Sequence, residues 1–413
     1  TWTHIFSDKI FSTVTVTGSR YFNFPSFKIS GTPFERSNNI YDFSAKADIE
    51  YFHSDRHELS AGFWTGRLTL TLQDEFDRNQ TFSSRTHTQY GSFYLQDKWN
   101  LTDRLTITPG LRINGFSEGR YLRMGPRFSL EYRPSDRIVL QAAYGRYHQF
   151  LTVDSNEAFT GFDVWLTADD GVSPSAGNQY MAGIKTSPRD GYTVDMELYY
   201  RTMENLFEPD PFLQDQAGIP YEETFRFGKG YAFGTEILLE HQVGKLTGFA
   251  GYTFGVTRRK FPGFNEPAEG GPARYYPPKY DRIHDLSVVL SYKLSSRWSV
   301  STAFSYATGQ AYTKPLGRTA AFDFPTSATS KQQLIVGKVN ASRLPDYNRL
   351  DISFSRDGTF WGLGEAQWQF QLVNVYSRRN TWFYHYDLDE NPAEREAVQL
   401  LPILPTISYT LNF

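Results

Sequence analysis

The sequence predicts an all-β fold, a transmembrane antiparallel up-and-down β-barrel, and three observations support that prediction. Apolar and polar residues alternate with a period of two through most of the chain. Short connections rich in Gly, Asp, Ser and Pro alternate with long ones. Aromatic residues make up 17% of the chain although its mean hydropathy is only −0.50, which indicates strands that carry one apolar and one polar face.

The composition excludes several kinds of protein. The chain has 413 residues with 42 Lys and Arg against 45 Asp and Glu, and this near-neutral balance argues against a nucleic-acid binder. It has no Cys, which excludes a disulfide scaffold, thiol catalysis and Cys-ligated zinc or iron–sulfur sites. No stretch approaches the ~18 consecutive apolar residues of a transmembrane helix.

The alternation defines about sixteen strands, each with its own period-two stretch. It is clearest in 41–51, 192–201, 298–307 and 367–372. Most predicted strands have about 10–15 residues, more than the ~5–6 usual in globular sheets and suited to crossing a bilayer at a tilt. In chain order they are 9–22, 39–52, 57–73, 86–100, 104–117, 120–133, 137–151, 177–187, 191–204, 222–242, 245–258, 282–294, 297–310, 345–356, 365–378 and 400–413.

The connections between these strands alternate in length. Long loops at one end and tight turns at the other are typical of outer-membrane barrels. The short connections are 54–56, 101–103, 134–136, 188–191, 243–245, 294–297 and the stretch near 358–359. The long ones are 23–38, 74–85, 152–176, 205–221, 259–281, 311–344 and 379–399, and 118–119 is the one short connection on their side.

The physical chemistry of a bilayer accounts for the alternation. Hydrocarbon offers no hydrogen bonds, so every backbone N–H and C=O must be paired and a sheet has to close on itself. The lipid-facing side chains are then apolar, the lumen-facing ones can be polar, and aromatic residues form girdles at both interfaces. A soluble sandwich or propeller is disfavoured, because it would bury the same charges unpaired.

The C-terminal residues predict the orientation and the compartment. The stretch 407–413, ISYTLNF, alternates and ends in an aromatic residue. It resembles the signal by which the barrel-assembly machinery recognises outer-membrane proteins, with Ser408 where a small Gly is usual. In that class the C-terminus is periplasmic, so the short turns are expected in the periplasm and the long loops outside. The expected location is the outer membrane of a Gram-negative bacterium.

A set of ordered segments carries a more specific resemblance. They are 94–112 (YLQDKWNLTDRLTITPGLR), 230–236 (GYAFGTE), 280–286 (YDRIHDL), 306–313 (YATGQAYT), 344–351 (LPDYNRLD), 374–380 (NVYSRRN) and 401–405 (LPILP). In this order they resemble the barrel portion of a TonB-dependent outer-membrane receptor, of the Bacteroidota type that carries a carboxypeptidase-regulatory-like domain.

The resemblance implies both an activity and a missing part. Such a receptor binds a scarce nutrient with its extracellular loops and imports it with energy transmitted by TonB. Its barrel has 22 strands and follows a plug domain, so 1–413 is expected to be the C-terminal barrel portion, with the plug and roughly six strands absent or on another chain. The implied partners are the TonB complex through the plug, a nutrient ligand, outer-membrane lipids and a surface lipoprotein or other protein, but no nucleic acid.

Two other functions remain open at this point. Sixteen strands also make a complete general diffusion porin, which would show a steady conductance. A barrel that serves as an adhesin or as a scaffold would instead hold a partner protein and pass no solute.

Candidate site residues come from the polar faces and from the outer loops. Charged residues whose parity points them inward, among them Asp42, Lys46, Asp48 and Glu50, are expected to contact a plug or to line a pore. The main set is Arg112, Arg123, Arg127, Asp195, Glu197, Arg201, Glu236, Arg349 and Asp351. Loop aromatics are expected to stack on a ligand, with girdle or loop packing as the alternative. They are Phe162, Trp165, Tyr275, Tyr276, Trp382, Tyr384 and Tyr386.

Neither an enzyme nor a bound cofactor is expected. Residues 115–119, GFSEG, match the G-x-S-x-G nucleophile pattern, but that chemistry needs a strand-to-helix elbow and here a hairpin turn follows. The eight His are scattered, which gives a transition metal little support. The loop stretch 387–391, DLDEN, could supply oxygen ligands to Ca²⁺, and a solvated acidic loop is the alternative.

Overall fold

The computed structural model describes residues 1–29, 32–154, 164–209, 223, 225–267, 270–321, 331–359, 364–387 and 394–412. Its first strands are β1 (Trp2–Ser7), β2 (Ile10–Asn23), β3 (Ser26–Ile29), β4 (Thr32–Ser54), β5 (His57–Phe76), β6 (Asn79–Thr102), β7 (Leu105–Phe116), β8 (Tyr121–Ser135) and β9 (Ile138–Gln149). Then come β10 (Leu151–Asp154), β11 (Val164–Thr167), β12 (Ser175–Thr186), β13 (Tyr192–Pro209), β14 (Phe225–His241), β15 (Leu246–Lys260), β16 (His284–Lys293), β17 (Trp298–Ala307) and β18 (Ala311–Tyr312). The last are β19 (Pro315–Ala321), β20 (Lys331–Val336), β21 (Ser342–Arg343), β22 (Tyr347–Thr359), β23 (Glu365–Val373), β24 (Thr381–Asp387), β25 (Glu394–Gln399) and β26 (Leu404–Asn412).

The all-β antiparallel prediction is confirmed over the described part of the chain. Eighteen strands make the main pairings, and the other eight form four small two-stranded sheets. β2 and β3 pair with successive parts of β4, so the main strands occupy seventeen positions. Every predicted strand coincides with one of them. The additional strand is β1, which period-two reasoning missed because Trp2, Ile5 and Phe6 do not alternate. Within the described ranges, no helix has the length and apolarity needed to cross a bilayer.

Two connections predicted as long loops are largely strand. β4 begins at Thr32, and β5 and β6 stay paired as far as Phe76 and Asn79. Asp77 and Arg78 between them have φ of 50° and 63°, the left-handed pair of a type I′ hairpin turn. The loop predictions for 23–38 and 74–85 were therefore wrong over most of their length, and in 74–85 no Gly marks the turn.

The chain divides into two compact units. The first comprises Thr1–Pro134, Leu140–Met181 and Arg201–Gly230, and the second comprises Ser135–Val139, Ala182–Tyr200 and Tyr231–Phe413. In the first unit β2, β4, β5, β6, β7 and β8 pair in succession. In the second unit β15, β16, β17, β22, β23 and β26 do the same. Strands that follow one another along the chain thus pair, as in an up-and-down sheet.

The register gives the sheet of the second unit one apolar and one polar face. In the second unit, side chains of four neighbouring strands line up in rows that alternate in character. An apolar row contains Val300, Phe354, Phe370 and Ile407, and the adjacent polar row contains Ser301, Ser353, Gln371 and Thr406.

Candidate functional site

The polar face of the first unit collects charged residues that were predicted to point inward. Arg123 and Arg127 lie on β8 and Arg112 lies on β7. The register carries the same face across β6 and β5 to Asp42 and Asp48 on β4. The structure thus brings these cations and carboxylates onto one surface, and their contact with a plug or a pore stays a prediction.

Two tyrosines of β6 tie this face together by the same three-strand contact, here called a tyrosine bridge. In each bridge the phenol passes over a glycine of β5 and donates a hydrogen bond of 2.7 Å to an Oδ1 atom of β4. A Cβ on either glycine would overlap the tyrosine, so the aromatic ring and the missing side chain are matched in shape. The bridges are Asp42–Gly66–Tyr90 and Asp48–Gly62–Tyr94.

The polar face of the second unit consists mainly of Ser, Thr and Gln, and on it two of the predicted inward residues form an ion pair. Arg349 Nη2 lies 2.8 Å from Asp351 Oδ2 on β22. The backbone N–H of Asn374 donates to Asp351 Oδ1 at 2.8 Å. Both oxygens of this buried carboxylate are therefore engaged, Oδ2 by Arg349 of the same strand and Oδ1 by the residue that follows β23.

The remaining predicted inward residues lie on β13 and β14, which follow one another along the chain. Asp195 and Glu197 lie on β13 and Glu236 lies on β14. Arg201, also on β13, donates from Nη2 to Gln179 Oε1 of β12 at 3.2 Å. A lumen-lining role for all four stays a prediction.

Asp281 organises the long-loop end of the second unit. Its side chain is 1% exposed, it accepts a hydrogen bond from the Thr257 N–H at 2.9 Å, and Arg258 Nη1 lies 3.5 Å away. Arg343 Nη2 donates to the other carboxylate oxygen. Arg343 Nη1 donates to the carbonyl oxygens of Asp281 and Gly309, at 2.8 and 2.9 Å. One carboxylate and one guanidinium thus join the long-loop ends of β15, β16, β17 and β22.

Two asparagines continue this polar assembly. Asn374 is 1% exposed, and its Nδ2 donates to the carbonyl oxygens of Arg378 and Leu401 at 2.9 and 3.0 Å. Asn380 Nδ2 donates to the Asn348 carbonyl at 2.8 Å, and Asn380 Oδ1 accepts from the Asn348 N–H at 3.1 Å. A buried amide that is paired on both sides fixes the backbone that it contacts.

The assembly unites five of the segments that carry the family resemblance. Asp346 connects its two halves, since Tyr306 Oη and the Gly309 N–H donate to it at 2.8 and 3.1 Å and Arg378 donates to its carbonyl at 2.8 Å. The segments are 280–286, 306–313, 344–351, 374–380 and 401–405. We call Asp281, Arg343, Asp346, Asn374 and Asn380 the loop-root network, because it lies where the long loops leave their strands.

The first predicted ligand aromatics belong to the loop that follows β9. Trp165 packs against a buried apolar cluster and meets Tyr21 edge to face, with ring centroids 6.0 Å apart. The cluster comprises Ile40, Leu68 and Leu70. Phe162 lies outside the described residues. Ligand contact stays a prediction for both.

The next two predicted aromatics differ from each other in exposure. Tyr276 is 4% exposed and packs with Phe261 and Phe264, at centroid distances of 6.5 and 6.1 Å. Packing within the loop, the alternative to ligand contact, is thus what the structure shows for Tyr276. Tyr275 is 45% exposed and meets Tyr231 edge to face at 5.2 Å, so its ring remains accessible as the prediction requires.

The last three predicted aromatics lie on β24. Trp382 is 41% exposed and lines a cavity of ≈ 100 Å³ beside the loop-root network. The Arg395 guanidinium lies 4.4 Å above the centre of the Tyr384 ring. Burial raises the pKa of the Tyr386 hydroxyl above its ordinary value. Their contact with a ligand stays a prediction.

The structure also locates the weaker sequence motifs. Ser117 of the GFSEG pattern follows the end of β7, and a single 3-10 turn, Glu118–Arg120, leads into β8, so the pattern lies in a hairpin. Of the predicted Ca²⁺ stretch 387–391, residues 388–391 lie outside the described residues. Over the parts of the chain that are described, no group of three or more acidic or His side chains could hold a metal.

The turn after β7 predicts a pH response. It packs on the following loop, where Tyr121 Oη donates to the Asp169 carbonyl at 2.7 Å. Burial, the Asp169 charge and a hydrogen bond to that carboxylate raise the pKa of Glu118. An acid with a raised folded-state pKa stabilises the folded form fully below the unfolded pKa, and this stabilisation is lost as pH rises through the folded pKa.

We therefore expect amide protection of residues 117–121, measured as protection factors by hydrogen exchange, to rise between pH 7 and about pH 4. Glu118→Gln removes the titrating group and should flatten that pH dependence. A Glu118→Gln profile as steep as the wild-type profile would contradict the assignment.

Sequence reasoning missed several residues that build these sites. Trp64 and Phe116 occupy polar-face positions of β5 and β7, and an aromatic residue there breaks the alternation, which is the signal that could have found them. Asp281 lies in a segment noted only for its resemblance. Its buried carboxylate pairs with Arg343, which lies 62 residues further along the chain.

Comparison with known proteins agrees with this architecture. Residues 1–389 match a family profile described as TonB dependent receptor-like, beta-barrel. None of the curated proteins matches the chain.

Several solved structures share the fold at low identity. The ferripyoverdine receptor of the outer membrane of Pseudomonas aeruginosa, bound to ferripyoverdine, has 13% identity and a TM-score of 0.68 over 98% of this chain and 54% of its own. The ferric citrate transporter FecA in the unliganded form has 12% identity and a TM-score of 0.65, over 98% and 59%. BauA, the ferric preacinetobactin receptor from Acinetobacter baumannii, has 12% identity and a TM-score of 0.62, over 100% and 61%. The chain thus spans little more than half the length of these proteins.

Proposed function

Since this chain belongs to the family of TonB-dependent receptor-like β-barrels, we propose that it forms the wall and outer loops of an outer-membrane receptor that imports a scarce nutrient with energy transmitted by TonB. The family match over residues 1–389 carries the proposal. The alternation of short turns with long loops supports it, because it separates a ligand-binding end from an end that faces the energy source.

The exposed apolar face of the second unit's sheet supports a location of this sheet in the membrane. Phe354, Phe370 and Ile407 share one row, and they are 43%, 42% and 71% exposed. A contiguous apolar surface of this kind requires a nonpolar covering. Lipid is that covering in the proposed location, the outer membrane of a Gram-negative bacterium.

The strand count supports the proposal that the receptor's barrel contains further strands. Bacterial single-chain barrels have an even number of antiparallel strands, and the described main strands occupy seventeen positions. We propose that an odd number of further strands, together with a plug that reaches TonB, completes the receptor. The same count weighs against a complete sixteen-stranded porin.

The chemical class of the nutrient is also part of the proposal. The structural neighbours are named for ferric chelates, so ferric siderophores are the first ligands to test. The Bacteroidota subtype and a surface lipoprotein partner remain predictions from the resemblance.

Transport experiments on the whole protein test this function. Cells that carry it should accumulate one member of a panel of ⁵⁵Fe-labelled siderophores, and removal of TonB should abolish that uptake. The purified receptor should give no large steady conductance in a planar bilayer. TonB-independent uptake together with steady conductance would establish a porin and contradict the proposal.

A further inference from the structure

A cavity of ≈ 450 Å³ in the first unit has aromatic walls. The rings form two pairs: Trp64 meets Tyr90 edge to face at 4.8 Å, and Phe116 stacks on Phe150 at 5.0 Å with 20° between the planes. Phe116 is 5% exposed, so one wall is fixed in the packed interior. A volume of this size accepts a small organic molecule, since ligand pockets measure about 300–1,000 Å³.

Asp42 is the single charged residue that lines this cavity. The Tyr90 hydroxyl donates to its Oδ1 at 2.7 Å and holds the carboxylate in place. In the described ranges of the chain, no Lys, Arg or His nitrogen forms an ion pair with Asp42, whereas Lys46 pairs with Asp48 at 2.7 Å. One negative charge therefore stands uncompensated beside four aromatic rings.

Arg112, the neighbouring cation of this face, does not line the cavity, but it is bound to Ser92, which does. Arg112 Nη2 donates to Ser92 Oγ at 2.7 Å, and its electrostatic neighbours are Arg127, Tyr94 and Asp48. The two tyrosine bridges differ in register: Asp48, Gly62 and Tyr94 lie directly opposite one another, whereas Gly66 and Tyr90 lie opposite Ser44, two residues from Asp42. Only the bridge with Asp42 adjoins the cavity.

We propose that this cavity binds an organic cation, with its apolar body between the aromatic walls and its protonated amine against Asp42. A carboxylate supplies a charge-assisted hydrogen bond, and the faces of aromatic rings attract a cation. This assignment rests on the proposed function. It implies that the imported nutrient carries an amine beside an apolar group.

The test uses the whole purified receptor in detergent and two probes of equal size. Phenethylammonium carries the charge, and phenethyl alcohol carries the same aromatic body without it. By calorimetry the wild-type receptor should bind the cation about tenfold more tightly than the alcohol. Asp42→Asn, whose amide oxygen still accepts from Tyr90, should abolish that preference.

The second tyrosine bridge provides a matched control. Asp48→Asn removes the same charge from the same strand away from the cavity, and it should leave the preference unchanged. Trp64→Leu should weaken binding of both probes, which tests the wall independently of Asp42. Equal affinity for the two probes, no binding of either to the wild type, or an unaltered preference in Asp42→Asn would overturn the proposal.

These measurements separate the cavity from the transport function. Binding to the purified receptor needs no TonB, so an amine preference without TonB-dependent uptake would contradict only the transport proposal. TonB-dependent uptake of a nutrient by a receptor that shows no amine preference would contradict only the cavity assignment.

Discussion

Replacing Asp281 by Asn is expected to destabilise the second unit by about 3 kcal/mol and to release the long-loop ends of four strands. The carboxylate is 1% exposed and faces the guanidinium groups of Arg343 and Arg258. The substitution removes the negative charge and turns one oxygen into an NH₂ group, which leaves partly buried cations without their counter-charge. Such a loss costs more than any exposed ion pair contributes.

Denaturant unfolding and hydrogen exchange of the whole receptor measure this effect. Exchange should accelerate in residues 257–260 and 308–312, next to the carboxylate, more than at the short-turn end. Asp357→Asn is the matched control, because Asp357 lies in the same unit and makes an exposed hydrogen bond to Gln367 at 2.7 Å. Equal unfolding midpoints for the two variants would show that Asp281 does not hold the loop roots.

Gly309→Ala is expected to be about as harmful, by about 3 kcal/mol, although it adds only one methyl group. A Cβ at this position would overlap the Leu344 carbonyl. That backbone has little freedom to move, since the Leu344 N–H donates to the Gln310 carbonyl at 2.9 Å and Arg343 is held by Asp281. The chain after β17 must then move away from the chain before β22, which breaks the contacts of Gly309 with Arg343 and Asp346.

Gly317→Ala is the control for the loss of glycine flexibility, because no atom lies within 4 Å of the Cβ position there. Thermal unfolding in detergent should show a lower midpoint for Gly309→Ala and almost no change for Gly317→Ala. A Gly309→Ala receptor as stable as the control would mean that the Leu344 backbone yields without cost.

The strands were predictable because their signal is local. Alternation in 41–51 or 298–307 reflects the two faces of a single strand, and the register confirms that each stretch belongs to one main strand. The predictions were wrong where that signal ends. The turn at Asp77 and Arg78 contains no Gly, and the apolar residues of β1 do not alternate.

The candidate sites were only partly predictable, because the contacts that build them join residues far apart in the sequence. Parity alone placed Arg112, Arg123 and Arg127 on one face, and the structure agrees. Aromatic residues of the loops gave no indication of their partners, so Tyr276 was predicted at a ligand surface and lies 4% exposed in loop packing.

The sequence by itself determined the strands, their two faces and the alternation of turns with loops, because these depend on residues two apart and on the solvent at each face. Tertiary structure alone decided which polar groups meet. Asp281 pairs with Arg343 across 62 residues, and Asp42 lies under Tyr90 across 48. Such contacts depend on the register between strands and on the paths of the loops, which a period of two does not encode. The loop-root network and the aromatic cavity at Asp42 therefore emerged only when the strands were paired.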